Sequence, residues 1–505
     1  MKKLFPILFF LLSVNIYSQN TFENTWYLYD SEFRYVLETS DGDYIMLAYM
    51  TANNDYIYKI SEEGDSLGYI NDYLPTDERF SYFGLFHHPE YDDAFVAPAI
   101  ISSQNGSPKE IALVSFDKYL GIIDVKTVSF ESEVINLVPS QIPYSIINED
   151  KIEFAAHVLL RSGEYAHMYA SIDISGNLLN YNINKSQCNN FGSYPTCFEI
   201  IDKNNQKYGV LYKRVHEDNS LTLTLIVLDS DLKVEDEIEI EYHNYQFDDY
   251  GQIIGSQVIE PIDQPKVYYY DDDHILLNIL AKKIDMSDSY RGSAFAILDR
   301  NYEFIDVNFL FSSTEGKMIK HPLLKAIDIN NEYIYECVIE NYNSPHPSHP
   351  TRCKLRRYDV GLNLIWEKYI NDDTDGYYYP RYITSTSDGG CIIVGFTCDK
   401  VDFNKSYLYA AKVDSNGNVS INEFNTLSAN LLYFYPNPAE DVISLNCSSE
   451  VACERVEIYS LDGRLCHSQN FNLKTINIEE LSSGVYMMKV VLDNGNSYTE
   501  KIVKR

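Results

Sequence analysis

Positive charge is scarce in this chain. Its 505 residues carry 40 Lys and Arg against 74 Asp and Glu, a formal net charge of −34. A field of that sign repels phosphate backbones, which argues against nucleic acid as a partner and suits solubility outside a cell. Familiar catalytic signatures are missing too. There is no G-x-S-x-G elbow and no P-loop, so nothing points to an α/β-hydrolase or a nucleotide hydrolase. None of the nine Cys falls in a C-x-x-C pair, which argues against a zinc ribbon. Long amphipathic helix patterns are almost absent. No run is long and apolar enough to span a bilayer; the apolar stretch Leu4 to Val14 is about a dozen residues and too short. With Met1-Lys2-Lys3 before it and Ser18 after it, that stretch has the layout of a secretory signal peptide, expected over residues 1–18. No Cys stands at the cleavage point, which argues against a lipoprotein anchor, and the mature chain is expected to lack an integral membrane segment.

What is abundant is Tyr, with 44 residues, a residue that favours half-buried sheet surfaces. A repeat runs through the middle of the chain. An apolar or aromatic run ends in a polar residue, turns tightly and resumes. The polar residues are Ser61, Asp117, Asp173, Asp229, Asp299, Asp359 and Asp414, at intervals of 56, 56, 56, 70, 60 and 55. Before each lies a second polar turn leading into a strand, as at Asp41-Gly42-Asp43, Asp271-Asp272-Asp273 and Asp388-Gly389-Gly390. Each repeat therefore holds two hairpins, or four strands. One such sheet cannot bury both faces alone, so the repeats predict an all-β, seven-bladed β-propeller over residues 19–430. Asp and Asn would form Asx turns. The segment Phe22 to Tyr29, upstream of the first repeat, could pair with the last blade and close the ring, which would hide an edge strand. A series of β-sandwich domains is the competing architecture, but sandwiches usually need about 100 residues each. The stretch Ser387-Asp388-Gly389-Gly390-Cys391-Ile392 resembles a propeller repeat of secreted bacterial proteins, which implies fold and not activity.

Groups that could carry chemistry are few. Asn371, Asp373 and Asp375 with Gly376 resemble the start of a calcium loop. Position twelve of that loop is Tyr382, where a bidentate Glu is expected. A plain polar loop is the competing reading, and Ca²⁺ is the one cofactor suggested. The cluster Asp271-Asp272-Asp273-His274 reads as a solvated turn. His346, His349 and Cys353 have metal-ligand chemistry but lie in a Pro-rich loop that no helix can organise. The Cys cluster in sequence as Cys188 with Cys197, Cys337 with Cys353, Cys391 with Cys398, and Cys447, Cys453 and Cys466. Oxidation in an exported protein would allow the first three pairs to be local bridges, which spacing alone does not establish.

The end of the chain has its own character. Tyr435-Pro436-Asn437-Pro438 opens it, an Asp462-Gly463 turn and a Gly484-Val485-Tyr486 strand follow, and Lys501 begins a basic last segment. Alternating apolar residues between turn signals describe a small β-sandwich over residues 431–505. As a set, these motifs closely resemble the type A C-terminal sorting domain of the type IX secretion system. The resemblance implies that Tyr435, Pro436, Asn437, Pro438, Gly463, Gly484, Tyr486 and Lys501 belong to the sorting motif. It also implies recognition by the type IX secretion machinery, removal of the tail by a surface peptidase, and an extracellular or outer-surface destination. The expected function is then a secreted or cell-surface binding or adhesion protein whose passenger recognises a glycan, peptide or protein. The alternatives are a secreted propeller hydrolase or lyase using carboxylates at the channel mouth, and a purely structural surface protein.

Overall fold

The computed structural model describes residues 21–26, 31–50, 55–70, 78–103, 108–128, 134–137, 144–185, 194–215, 221–240, 243–247, 253–258, 266–282, 291–310, 319–320, 324–330, 332–340, 351–370, 377–398, 406–419, 432–435, 439, 441–447, 453–460, 464–470, 475–492 and 497–505. The regular structure among them is all β. Antiparallel strands between residues 31 and 413, joined in the last sheet by Phe22–Trp26, form seven sheets of four or five strands. Sheet 1 covers 31–70, sheet 2 78–128, sheet 3 134–184, sheet 4 194–240, sheet 5 266–310, sheet 6 319–369 and sheet 7 377–413. Each repeat of the sequence maps onto one of them. The long fourth interval is explained by an extra hairpin, His243–Phe247 with Ile253–Val258, inserted between sheets 4 and 5.

The repeated Asp or Ser ends the strand next to the outermost one, and in sheets 1 to 6 its turn leads into the outermost strand. Asp359 Oδ1 accepts from the backbone N–H of Gly361 at 2.9 Å and of Asn363 at 2.8 Å. Asp117, Asp229, Asp299 and Asp414 accept from the same two positions. Asp173 accepts from Asn177, and Ser61 does the equivalent through its hydroxyl. An Asx turn of this kind supplies acceptors that the tight loop lacks. Three residues after the Asp or Ser, the backbone is left-handed in all seven turns, at Gly64, Leu120, Gly176, Leu232, Tyr302, Leu362 and Gly417. Leu232 and Leu362 bear that strain because their side chains are buried in the cores. At Asp388-Gly389-Gly390 the demand is different: a Cβ on Gly390 would sit 2.1 Å from the Val413 carbonyl oxygen.

The seven sheets close on themselves. Apolar cores fill each gap: Leu47 with Phe95 between sheets 1 and 2, Leu113 with Phe154 between 2 and 3, and Tyr169 with Val210 between 3 and 4. The series continues with Leu225 and Leu277, Leu276 and Ile334, then Leu355 and Ile393. Val394 and Met46 join sheet 7 back to sheet 1. Many of the Tyr are consumed here; Tyr44, Tyr169, Tyr208, Tyr212, Tyr335, Tyr358 and Tyr409 are fully buried. A cycle of sheets packed face to face is a β-propeller. The segment upstream of the first repeat seals it: Phe22–Trp26 pairs antiparallel with Ser406–Val413 and supplies the outermost strand of sheet 7. Neighbouring turns are also stitched, for example by Tyr335 Oη donating to the Gly389 oxygen at 2.8 Å and Ser387 N donating to Glu38 at 2.6 Å.

The tail is a separate two-layer sandwich. Strands Leu432–Tyr435, Val442–Cys447 and Thr475–Asn477 form one sheet, and Cys453–Ser460, Leu465–Asn470, Gly484–Leu492 and Ser497–Lys504 form the other. Ile443, Val456, Ile458, Ile476, Met488 and Ile502 make its core. No helix among the described residues is long and apolar enough to cross a membrane.

Candidate functional site: the axial channel

In each sheet the first strand in sequence lies at the inner end of the meander, so seven first strands surround the ring axis. Charged residues on these strands meet partners from sheets that are not neighbours, and such sheets approach one another only at the axis. Lys266 of sheet 5 donates to Tyr144 Oη of sheet 3 at 3.2 Å, with its ammonium 4.4 Å from that ring's centre. It also donates to the Thr196 carbonyl of sheet 4. Glu199 of sheet 4 feels the charges of Lys325 and Asp328 of sheet 6. Lys325 is paired with Asp328 and lies 5.3 Å from the ring of Tyr382 in sheet 7, which packs on Tyr35 of sheet 1 at 5.4 Å. Tyr35 Oη in turn donates to the Phe83 carbonyl of sheet 2 at 2.9 Å. At the seam between sheets 7 and 1, Glu32 accepts from Arg34 Nε and Arg381 Nε, each at 2.7 Å.

The electrostatics of this cluster are uneven. Four cations, Arg34, Lys266, Lys325 and Arg381, face three carboxyls, Glu32, Glu199 and Asp328, in a chain that is strongly acidic overall. Burial pushes the Glu32 carboxyl up, but Arg381 and Arg34 more than offset this and hold it below its usual value. Burial likewise opposes ionisation of Asp328, and Lys325 with the Ser385 hydrogen bonds outweighs it. Glu199 is the exception. Burial lifts it to about 7, and the charge of Lys325 only partly counters the rise. These side chains lie deep in the ring yet keep some solvent access, 28% for Lys325 and 20% for Arg381, as the walls of a wet channel would.

Most of the residues singled out in the sequence do not enter this cluster as described. Asn371, Asp373 and Asp375 lie outside the described residues, as do His346, His349, Cys188 and residues 1–18. Tyr382, position twelve of that loop, is inside strand Tyr377–Ser385 and faces the axis. Asp271 accepts from Asp273 N at 2.8 Å and contacts His274 Nδ1 at 2.8 Å, which makes the acidic cluster a capped turn. Among the described residues no three His, Cys, Asp or Glu converge on a metal-sized site. The pairing of Cys391 with Cys398 is corrected by the structure. They stand at opposite ends of one extended strand, Cys391–Cys398, about 23 Å apart at ~3.3 Å per residue, beyond any disulfide. Cys337 and Cys353 are buried on adjacent strands with their sulfurs 3.3 Å apart as free thiols.

Within the tail, Tyr486 Oη donates to the Ser482 carbonyl at 2.8 Å, Gly484 pairs with Lys504, and Lys501 pairs with Met487. Tyr435 ends the strand Leu432–Tyr435. Pro436, Asn437, Pro438 and Gly463 lie outside the described residues; Ser460 N donates to the Arg464 oxygen at 2.9 Å.

The chain is a β-propeller followed by a β-sandwich tail, and the tail bears on its export. Residues 433–505 match the family described as the secretion system C-terminal sorting domain. The chain thus carries a type IX secretion sorting domain, which marks it for the cell surface or the extracellular space. No curated protein matches the sequence. Solved structures with some similarity include the β-propeller domain of the Trilobed protease from Pyrococcus furiosus, at 11% identity and TM-score 0.37, covering 74% of this chain and 96% of that one. Others are an alpha-L-arabinanase from Penicillium chrysogenum complexed with arabinobiose, at 10%, TM-score 0.39, 79% and 98%. The WD40 domain of SCAP from fission yeast matches at 11%, TM-score 0.34, 76% and 85%. The propeller assignment rests on the sheet order and the cycle of cores.

Proposed function

We propose that this is a secreted or surface-displayed binding protein, delivered by the type IX machinery, whose ring holds its ligand at the axial channel. Cleavage of residues 1–18 would start the route, and the tail from about residue 431 would complete it. One observation supports the reading above the others. Inner strands of separate sheets and the residues beside them bring cations, carboxyls and Tyr rings together around a solvent-accessible axis. Polar groups converging in a concave site are what ligand pockets offer. The test is an array of immobilised glycans and peptides probed with the mature chain, with and without Ca²⁺. A defined hit that weakens in Lys325→Gln supports the reading, and a blank array speaks for a structural role. Calcium dependence would point to the Asn371, Asp373 and Asp375 loop.

A second reading is favoured by Glu199. A carboxyl lifted to about 7 is suited to donate a proton at neutral pH, as a glycosidase acid or a lyase acid must. It requires turnover of glycosides that Glu199→Gln abolishes while fold and binding persist.

A further inference from the structure

The seam where sheets 7 and 1 meet holds a charge arrangement that the fold alone does not require. Glu32 is shared by two guanidiniums, Arg34 through Oε1 and Arg381 through Oε2. Only the Nε of each Arg is used; neither makes a further hydrogen bond among the described residues. Both guanidiniums also lie over aromatic rings. Arg34 Cζ lies 3.6 Å from the centre of Tyr49, and Arg381 Cζ lies 4.9 Å from that of Phe396, which is itself stacked on Tyr379 at 4.8 Å. The Arg381 backbone is fixed as well, since its carbonyl accepts from Leu324 N and Lys325 N, each at 3.1 Å. Side-chain exposures of 12% for Arg34 and 20% for Arg381 leave both in contact with solvent.

Two preorganised cations therefore share one internal carboxylate, and one positive charge is left over beside two unused forks. A guanidinium fork matches a carboxylate in geometry and charge. We infer that Arg34 and Arg381 form a carboxylate-binding subsite for an acidic glycan, with Glu32 as the internal carboxylate against which the ligand's carboxylate competes. This deepens the binding reading above and rests on it. A glycan suits the site better than an acidic peptide because a sugar chain bearing one isolated carboxylate meets less repulsion from a chain of net charge −34 than a polyanion does.

The experiment is calorimetric titration of the mature full chain with sialyllactose and with a glucuronic-acid disaccharide. Lactose and the glucose analogue of the disaccharide are the neutral controls, and a tetraglutamate peptide is the third arm. At least one acidic sugar is expected to bind about tenfold more tightly than its neutral control, and Arg34→Gln or Arg381→Gln should each remove that advantage. Glu32→Gln removes the competing internal carboxylate and should tighten acidic-sugar binding severalfold, an effect opposite to that of a merely structural role. Unfolding temperatures of all three variants identify any that fail to fold. Equal binding of acidic and neutral sugars overturns the subsite, as does tighter binding of the peptide or weakened binding in a folded Glu32→Gln. Hits confined to neutral glycans on the array would retain the binding reading while rejecting this subsite.

Discussion

Phe22 is the residue whose removal tests the closed ring most sharply. It opens the strand Phe22–Trp26 and is completely buried in the core between sheets 7 and 1. Its ring meets Tyr44 edge-on at 6.0 Å and fills the space above Gly64, where a Cβ would come within 2.7 Å of Phe22 Cγ. Asn24, two residues on, donates to the Gly64 carbonyl at 2.7 Å and pins the same strand to sheet 1. Phe22→Ala should cost about 3–5 kcal/mol, the lost transfer energy plus the cavity left behind. Unfolding a ring of roughly 400 residues carries an entropy of about 0.8 kcal/mol/K, so the melting temperature should fall by roughly 4–6 °C. Loosening the strand also bares the edge of Ser406–Val413, so aggregation on heating should increase. The assay is thermal unfolding at a fixed scan rate, with light scattering alongside. Gly64→Ala supplies a coupled check. Its backbone sits at φ +90° and its new methyl strikes the Phe22 ring, so it should be less damaging in the Phe22→Ala background than alone. A melting temperature within about 1 °C of wild type, with no added scattering, would refute the closing role of this strand.

Three further outcomes follow from buried or shifted charges. Glu336 is fully buried, accepting from Arg356 Nη1 at 3.1 Å and Tyr358 Oη at 2.6 Å; Glu336→Ala removes one of the two carboxylates on Arg356, Glu367 remaining 2.7 Å from its Nε, and takes the acceptor from Tyr358, so it should cost about 1–3 kcal/mol in denaturant unfolding, whereas a neutral result would contradict the buried pair. Glu199 holds its proton more tightly folded than unfolded, so its contribution to stability is full below the usual Glu value and fades as pH rises through about 7; Glu199→Gln should flatten stability between pH 5 and 7, and an unchanged profile would argue against the shift. Asp299 and Asp359 are held below the usual Asp value by hydrogen bonds, Asp299 chiefly from the Glu303 backbone and Asp359 chiefly from the Asn363 side chain and backbone. Their stabilisation is therefore present above that value and lost as pH falls through the lowered one, and the double variant Asp299→Asn, Asp359→Asn should show a shallower acid limb in melting temperature against pH.

The fold was legible in the sequence because its signals are local. The seven polar residues from Ser61 to Asp414 mark tight turns whose hydrogen bonds span only two to four residues, and the strand before each turn is largely buried and reads as an apolar run. The closing strand was visible as an apolar segment with no repeat of its own. The axial cluster was not legible. Its members come from separate sheets, with Lys266 and Tyr144 122 residues apart and Arg381 and Glu32 349 apart. They also lie on the inner strands of the sheets or beside them, whereas the readable runs mark the strands farther out. A trace of the signal exists in hindsight: Phe33-Arg34-Tyr35, Phe198-Glu199-Ile200 and Pro380-Arg381-Tyr382 each set one charge among apolar or aromatic neighbours within a strand. The thiol pair Cys337 and Cys353 was within reach of spacing, but the separation of Cys391 and Cys398 depended on knowing that both share one strand.

The measurement that bears most directly on the whole account is a paired glycan and peptide array, run on the wild-type mature chain and on the double variant Arg34→Gln, Arg381→Gln. The account predicts a defined set of wild-type hits, carrying carboxylated sugars, that disappears from the folded double variant. Hits that survive the substitutions unchanged, or no wild-type hits alongside turnover of glycosides that Glu199→Gln abolishes, would contradict it.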